Sequence, residues 1–292
     1  MARTISAGLA DKLAVSGKKL AKMLRLERTD GTILTYTNHD EDLVYDLVGD
    51  GDETYVASAI QFSDISFSAG LDPDNCEATG PFDEAITLVG VLGNRFQGAR
   101  AWIFEVDWSD LTLGEIPLLG GQVSESKAQG RKWLFDIRDW RERLAQSPGR
   151  AMMNTCDAEH TLPVDPRCGR TPETDTATVV SAVDGMQMTV TLATGGWADG
   201  YFNKGEVLGL TGENEGIKLK IEDYDSATLV IKLFGFLPAT PQAGDTFTLI
   251  RGCGKTRADC MARNNMPQFK GEPDSPGTDQ LFRAAIPGGG DG

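Results

Sequence analysis

The sequence is short of histidine, with 2 in 292 residues, and it holds no uninterrupted apolar run of the ~18 residues that a membrane-spanning helix needs. Hydropathy therefore gives no expectation of a membrane span. Residues 1–22 carry lysines but no continuous apolar stretch of the kind that marks a secretory signal. The chain is accordingly expected to fold in a reducing cytoplasm, where paired disulfides are a poor first reading of its 5 cysteines. Positive charge is also scarce: 28 Lys and Arg face 43 Asp and Glu, a net charge of −15. Such a surface repels phosphates, which argues against a protein that grips nucleic acid or reads its sequence directly.

Nucleotide and hydrolase motifs are missing as well. There is no GxGxxG strand–turn–helix unit, no Walker loop and no GxSxG elbow. Gly252-Cys253-Gly254-Lys255-Thr256 ends like a phosphate loop but lacks its first glycine. The few histidines leave little acid–base chemistry. His39 adjoins Asp40, and His160 follows Glu159 and stands four residues after Cys156. A Cys156–His160 nucleophile pair is the one enzymatic arrangement on offer; the plainer reading makes His160 a solvated loop residue. The acidic run Asp40, Glu41, Asp42, Asp46, Asp50, Asp52 and Glu53 lacks the twelve-residue calcium loop and its terminal glutamate, so it reads as a solvated strand face.

What is present is an ordinary globular composition, 40% hydrophobic and 24% charged, with 34 glycines spread along the chain. Short apolar runs between scattered glycines indicate many turns and hence β structure. Residues 5–16 read as a helix, with Ile5, Leu9 and Leu13 on one face and Gly17 as its stop. The period then changes to two: Leu24 and Leu26 alternate with Arg25 and Glu27, and Asp30-Gly31 predicts a type I′ turn into residues 32–37. Further strands are expected at Tyr45 and over 55–62, 65–67, 101–106, 116–124 and 132–137, with helices over 82–91 and 138–146. Residues 147–175 are rich in proline and have no period. Strands resume at 176–181, 186–192, 207–211, 217–222, 228–233 and 246–250, and the loop 195–205 carries Trp197, Tyr201 and Phe202, which could make contacts or cap the strands.

The fold class expected is mainly β, a β-rich α+β chain with two domains of antiparallel barrels or sandwiches and a few short helices. The expected boundaries are 1–150 for an N-terminal β-rich domain, 151–175 for a cysteine-containing connection, 176–280 for a C-terminal β domain, and 281–292 for a flexible tail.

The cysteines fall into two distant pairs. Eleven residues separate Cys156 from Cys168, six separate Cys253 from Cys260, and 84 lie between the pairs; Cys76 stands alone and reads as a packed small residue. Thr256-Arg257-Ala258-Asp259 has the form of a capping box, so Thr256 is expected to cap a helix with Cys260 in its first turn and a lowered thiol pKa. Gly252 and Gly254 would let the turn at Cys253 fold tightly toward it. The spacing fits neither a zinc ribbon nor the tight ferredoxin run, so a four-thiolate site and inert free cysteines both stay open. Zinc and a [4Fe–4S] cluster each accept four thiolates. Arg167, Arg170, Arg251, Lys255, Arg257 and Arg263 crowd around these cysteines in an otherwise acidic chain, which suits either occupant and the larger anion somewhat better.

These residues resemble a known family. Cys253-Gly254-Lys255-Thr256, Cys260-Met261-Ala262-Arg263, Phe269-Lys270-Gly271-Glu272-Pro273 and Pro276-Gly277 are similar to the C-terminal motif of phage tail and gene-transfer-agent hub proteins. Leu24-Arg25-Leu26 before Asp30-Gly31, Thr37-Asn38-His39-Asp40 with Asp42-Leu43, Val106-Asp107-Trp108, Gly149-Arg150, Thr155-Cys156-Asp157 and Cys168-Gly169 resemble it in the same order, over residues 6–280. The resemblance implies a non-enzymatic structural hub of a phage-like tail tip, a homotrimer between the tail tube with its distal tail protein and the central fibre or spike protein. It implies a place in the virion after assembly in the bacterial cytoplasm. It also implies a [4Fe–4S] cluster, with zinc as the alternative, held by Cys156, Cys168, Cys253 and Cys260. A tail-borne cell-wall hydrolase and a zinc-stabilised binding module are the rival functions.

Overall fold

The computed structural model describes residues 6–14, 19–49, 51–65, 72–145, 149–150 and 152–275. Contacts divide the chain into two compact units, Met1–Ser147 and Pro148–Gly292. Both are built mainly on antiparallel β pairing, with one parallel pair in the first unit between residues 36–37 and 56–57, and the chain is mostly β with short helices, as the period-two stretches predict.

The N-terminal unit opens with α1 (Ala7–Ala14), whose Leu9 is fully buried. Ile5 and Gly17, expected at the ends of this helix, lie outside the described residues. There follow β1 (Leu20–Glu27), β2 (Ile33–Thr37), β3 (Leu43–Tyr45), β4 (Glu53–Ala57), β5 (Gln61–Phe62), β6 (Asn75–Pro81), α2 (Leu88–Leu92), β7 (Arg100–Asp107), β8 (Glu115–Gln129), β9 (Lys132–Asp139) and α3 (Glu142–Ala145). The strands form one nine-stranded sheet in the order β3-β4-β2-β1-β7-β8-β9-β6-β5. Alternation along β9 explains its core face: Trp133, Phe135 and Ile137 point inward and are buried, while the residues between them are not. Leu24, Leu26, Ile103, Phe96 and Cys76 join the same core. Burial pushes the Cys76 thiol up, as expected of a packed small residue.

Several details differ from expectation. The β1–β2 turn is not type I′, because Asp30 keeps a negative φ. Gly31 donates to the Arg28 carbonyl at 3.0 Å and takes φ +87°, while Arg28 donates to the Thr32 carbonyl at 2.8 Å, giving a three-residue loop with a glycine bulge. The helix expected over 138–146 shrinks to α3, because β9 pairs with β8 as far as Asp139; Trp140 and Leu144 keep helical spacing but stay exposed. The helix expected over 82–91 begins only at Leu88, where Thr87 supplies the N-cap. Ile65 is not in a strand, and residues 66–67 lie outside the described residues. The acidic run is only partly solvated. Glu53 holds the buried Arg25 at 2.8 and 3.0 Å, and the Asp42 and Asp46 carboxylates accept backbone N–H bonds from Ala57 and Gly49.

The C-terminal unit is organised around a closed six-stranded barrel, β10-β11-β14-β13-β12-β15. Its strands are β10 (Thr174–Ala182), β11 (Gln187–Leu192), β12 (Glu206–Gly209), β13 (Lys218–Asp225), β14 (Val230–Leu233) and β15 (Thr246–Ile250), followed by α4 (Arg257–Ala262). Each corresponds to one of the six runs legible in the sequence. Closure pairs β10 with β15 and β15 with β12, leaving no free sheet edge. The interior is filled by Val179, Val190, Val207, Ile221, Tyr224, Ile231, Phe247 and Leu249, all buried. Phe202 is fully buried and packs edge-on against Tyr224, while Trp197 and Tyr201 stack on each other, so this loop caps the barrel. Residues 152–173 contain no helix or strand and belong to this unit. The tail expected over 281–292 lies outside the described residues.

Candidate functional site

Four thiols meet beside the barrel. Cys156, Cys168, Cys253 and Cys260 line one cavity, together with Ala158, His160, Arg170, Lys255, Arg263 and Asn265. All four are free and half-buried. The irregular segment supplies the first two; the turn after β15 and α4 supply the others.

Backbone contacts explain how such distant residues are brought together. The Cys156 N–H donates to the Lys255 carbonyl at 2.8 Å, and the Glu272 N–H donates to the Met153 carbonyl at 2.8 Å, so residues 153–156 run alongside both 255 and 272. The turn at Cys253 has no room for side chains on its flanks. A Cβ on Gly252 would stand 2.3 Å from the Lys204 backbone carbon, and one on Gly254 would stand 2.1 Å from Asp259 Oδ2. Thr256 caps α4, accepting the Asp259 N–H at 3.1 Å and donating to its carboxylate at 2.6 Å. Cys260 thus sits in the short helix as its sequence predicts.

Each sulfur has a polar neighbour. The Lys255 N–H reaches Cys253 Sγ at 3.4 Å and the Lys270 N–H reaches Cys156 Sγ at 3.4 Å. Asn265 Nδ2 lies 3.7 Å from Cys168 Sγ and also donates to the Cys168 carbonyl at 3.0 Å. Cys260 Sγ stands 3.2 Å from the Asn265 carbonyl. Its thiol pKa is raised, which corrects the sequence expectation of a lowered one. Burial pushes it up, the sulfurs of Cys156, Cys253 and Cys168 push it further, and Arg263 opposes them.

His160 is buried, not a solvated loop residue. Its Nε2 accepts from Arg263 at 2.8 Å and its Nδ1 faces Cys168 Sγ at 3.8 Å. Burial, and then the charge of Arg263, lowers its pKa to about 4, so the ring is neutral at pH 7. Of the six cations expected around the thiols, Arg170, Lys255 and Arg263 line the cavity, and each also pairs with a carboxylate, Arg170 and Arg263 with Glu173 and Lys255 with Glu159. Arg167 pairs with Asp165 and Asp157, Arg257 pairs with Asp274, and Arg251 lies over the Tyr201 ring and pairs with Glu173. Sequence reasoning considers His160 beside Cys156 and reads it as solvated, whereas the ring faces Cys168; it misses Asn265, for which no periodic signal exists.

The cavity suits an anionic centre ligated by sulfur. Arg170 Nε is buried without a hydrogen-bond partner among the described residues, an orphaned donor on a residue that lines the cavity. No three ligating groups of the described residues converge closely enough to hold a single ion.

The family model of the baseplate hub protein N-terminal attachment domain matches residues 6–171, more than half of the chain. The chain belongs to the baseplate hub protein family. A second model, of a phage conserved hypothetical protein, BR0599, matches residues 200–279. Cys156 and Cys168 therefore lie in one matched segment of this hub protein, and Cys253 and Cys260 in the other. The fold is similar to that of a solved chain titled "Virion of native gene transfer agent (GTA) particle", with a TM-score of 0.77, 24% identity and 98% of each chain covered. No curated protein matches the chain. A baseplate hub is a structural component of a phage-like tail, which places this family in the virion. Among the described residues, no helix is long and apolar enough to cross a membrane.

Proposed function

We propose that the chain is a non-enzymatic structural hub of a tail tip. It assembles as a homotrimer, joins the tail tube and distal tail protein to the central spike or fibre, and carries a [4Fe–4S] cluster on Cys156, Cys168, Cys253 and Cys260. The observation that carries the cluster reading is the single cavity lined by four free thiols drawn from segments 84 residues apart. The hub role rests on the family, and the trimer and its neighbours rest on the resemblance of the sequence.

A bound cluster would supply four metal–thiolate bonds that tie the irregular segment to α4. The chain's own residues do the rest. The Lys255 and Lys270 N–H groups and Asn265 offer donors to sulfur, and Arg170, Lys255 and Arg263 offset negative charge. Closing a loop of about 90 residues restricts the unfolded chain and fixes the edge of the barrel, which suits a part that transmits load through symmetric interfaces. Zinc is the alternative occupant. The six basic residues near the cysteines in an acidic chain suit the larger anion somewhat better.

Anaerobic purification with an absorbance spectrum and metal analysis tests this reading. A brown chain with iron and sulfide near four each supports the cluster; a colourless chain with one zinc overturns it. The rival hydrolase needs a free base, yet His160 is buried, bonded to Arg263 and turned toward Cys168. Peptidoglycan digestion that is lost in His160→Ala would revive the rival.

A further inference from the structure

Arg263 and His160 together fix a proton. A guanidinium has donors only, so the His160 Nε2 that it meets at 2.8 Å must be an acceptor. Arg263 is itself held by the Gly252 carbonyl at 2.5 Å and by Glu173 at 3.6 Å, so its direction is fixed. A neutral imidazole with a bare Nε2 carries its hydrogen on Nδ1, and Nδ1 faces Cys168 Sγ. Asn265 approaches the same sulfur from its side-chain amide. Cys168 is therefore faced by two side-chain donors, while Cys156 and Cys253 each face one backbone N–H.

We propose that His160 is a positioning residue for the metal centre: locked by Arg263 as the Nδ1–H tautomer, it donates to the Cys168 sulfur and makes Cys168 the least electron-donating of the four ligands. The inference rests on the cluster reading and deepens it. N–H···S bonds draw electron density from thiolates and stabilise the more reduced, more negative state of an iron–sulfur centre, so this contact raises the reduction potential. The tuning belongs to side chains that a structural staple does not require.

Two measurements test it. With only 2 histidines in the chain, ¹⁵N-histidine labelling resolves His160 once His39→Gln removes the other signal. At pH 7 the expected pattern is a neutral ring protonated at Nδ1; an Nε2–H tautomer or an imidazolium overturns the inference. Protein-film voltammetry of the iron-loaded full chain then compares His160→Phe, which keeps a ring and loses the donor, with His160→Asn, whose amide nitrogen takes the place of Nδ1. His160→Phe should shift the one-electron reduction equilibrium about tenfold toward the oxidised state, ~59 mV, and His160→Asn should recover more than half of it. An unchanged potential in His160→Phe overturns this inference and leaves the cluster intact. A wild-type chain without iron overturns both. If His160→Phe fails to fold, the wild-type tautomer decides.

Discussion

The Trp197 indole N–H donates to the Asp175 carboxylate at 2.6 Å, and that single buried carboxylate also accepts the backbone N–H groups of Thr176, Thr194 and Gly195 at 2.8 to 3.1 Å. Asp175 thereby pins the loop after β11, and with it the Trp197–Tyr201 stack, to the start of β10. Burial alone would raise the carboxyl's pKa, but these donors outweigh it and hold it below the ordinary value.

Asp175→Asn should therefore destabilise the C-terminal unit by about 1–3 kcal/mol at pH 7, since one amide cannot accept all four bonds. The carboxylate's contribution is complete above the unfolded carboxyl value near pH ~4 and is lost as pH falls through the lowered folded value. Urea unfolding at pH 7 and at pH 3 checks this: the gap between wild type and variant should narrow in acid.

Arg25 is buried in β1, held by Glu53 at 2.8 and 3.0 Å and lying over the Trp102 ring. Removing Glu53 leaves this buried charge with only the longer pairing to Glu27, at 3.4 Å. Glu53→Ala should cost the N-terminal unit on the order of 3 kcal/mol, and the paired change Arg25→Met with Glu53→Leu should recover much of it. Chemical denaturation of the three chains measures both effects.

Gly252→Ala forces a methyl into the Lys204 backbone. The turn must move, carrying Cys253 away from the other thiols, and the expected result is a chain that retains its barrel but binds iron poorly. Far-ultraviolet circular dichroism and iron content per chain report the two properties separately. Retention of full iron content would show that the turn adjusts without moving the sulfur.

Removing the proposed cluster should act locally. Chelation of iron under oxidising conditions is expected to raise amide exchange around residues 153–170 and 252–272, where the segments bearing the thiols have few regular hydrogen bonds, and to leave the six barrel strands protected. Uniform loss of protection across the unit would mean instead that the barrel itself depends on the metal.

The six barrel strands were legible because each carries a local period-two pattern that needs no knowledge of its partners. Arg138–Asp139 misled for the opposite reason. Their helical spacing continues into Trp140 and Leu144, but pairing with β8 holds the backbone extended, and long-range hydrogen bonds outweigh a weak local preference. The Asp30-Gly31 turn was located correctly, while its type depended on how β1 and β2 come into register.

For the site, the sequence by itself determined which residues carry sulfur, where α4 begins, and which glycines the Cys253 turn requires, because capping and close approach are decided within a few residues. Only the tertiary structure decided that the two cysteine pairs line one cavity, that three of the six nearby cations line it too, and that His160 is buried with Nδ1 toward Cys168. The reason is physical: burial and the direction of a side chain depend on contacts between segments separated by many residues, and no local pattern encodes those contacts.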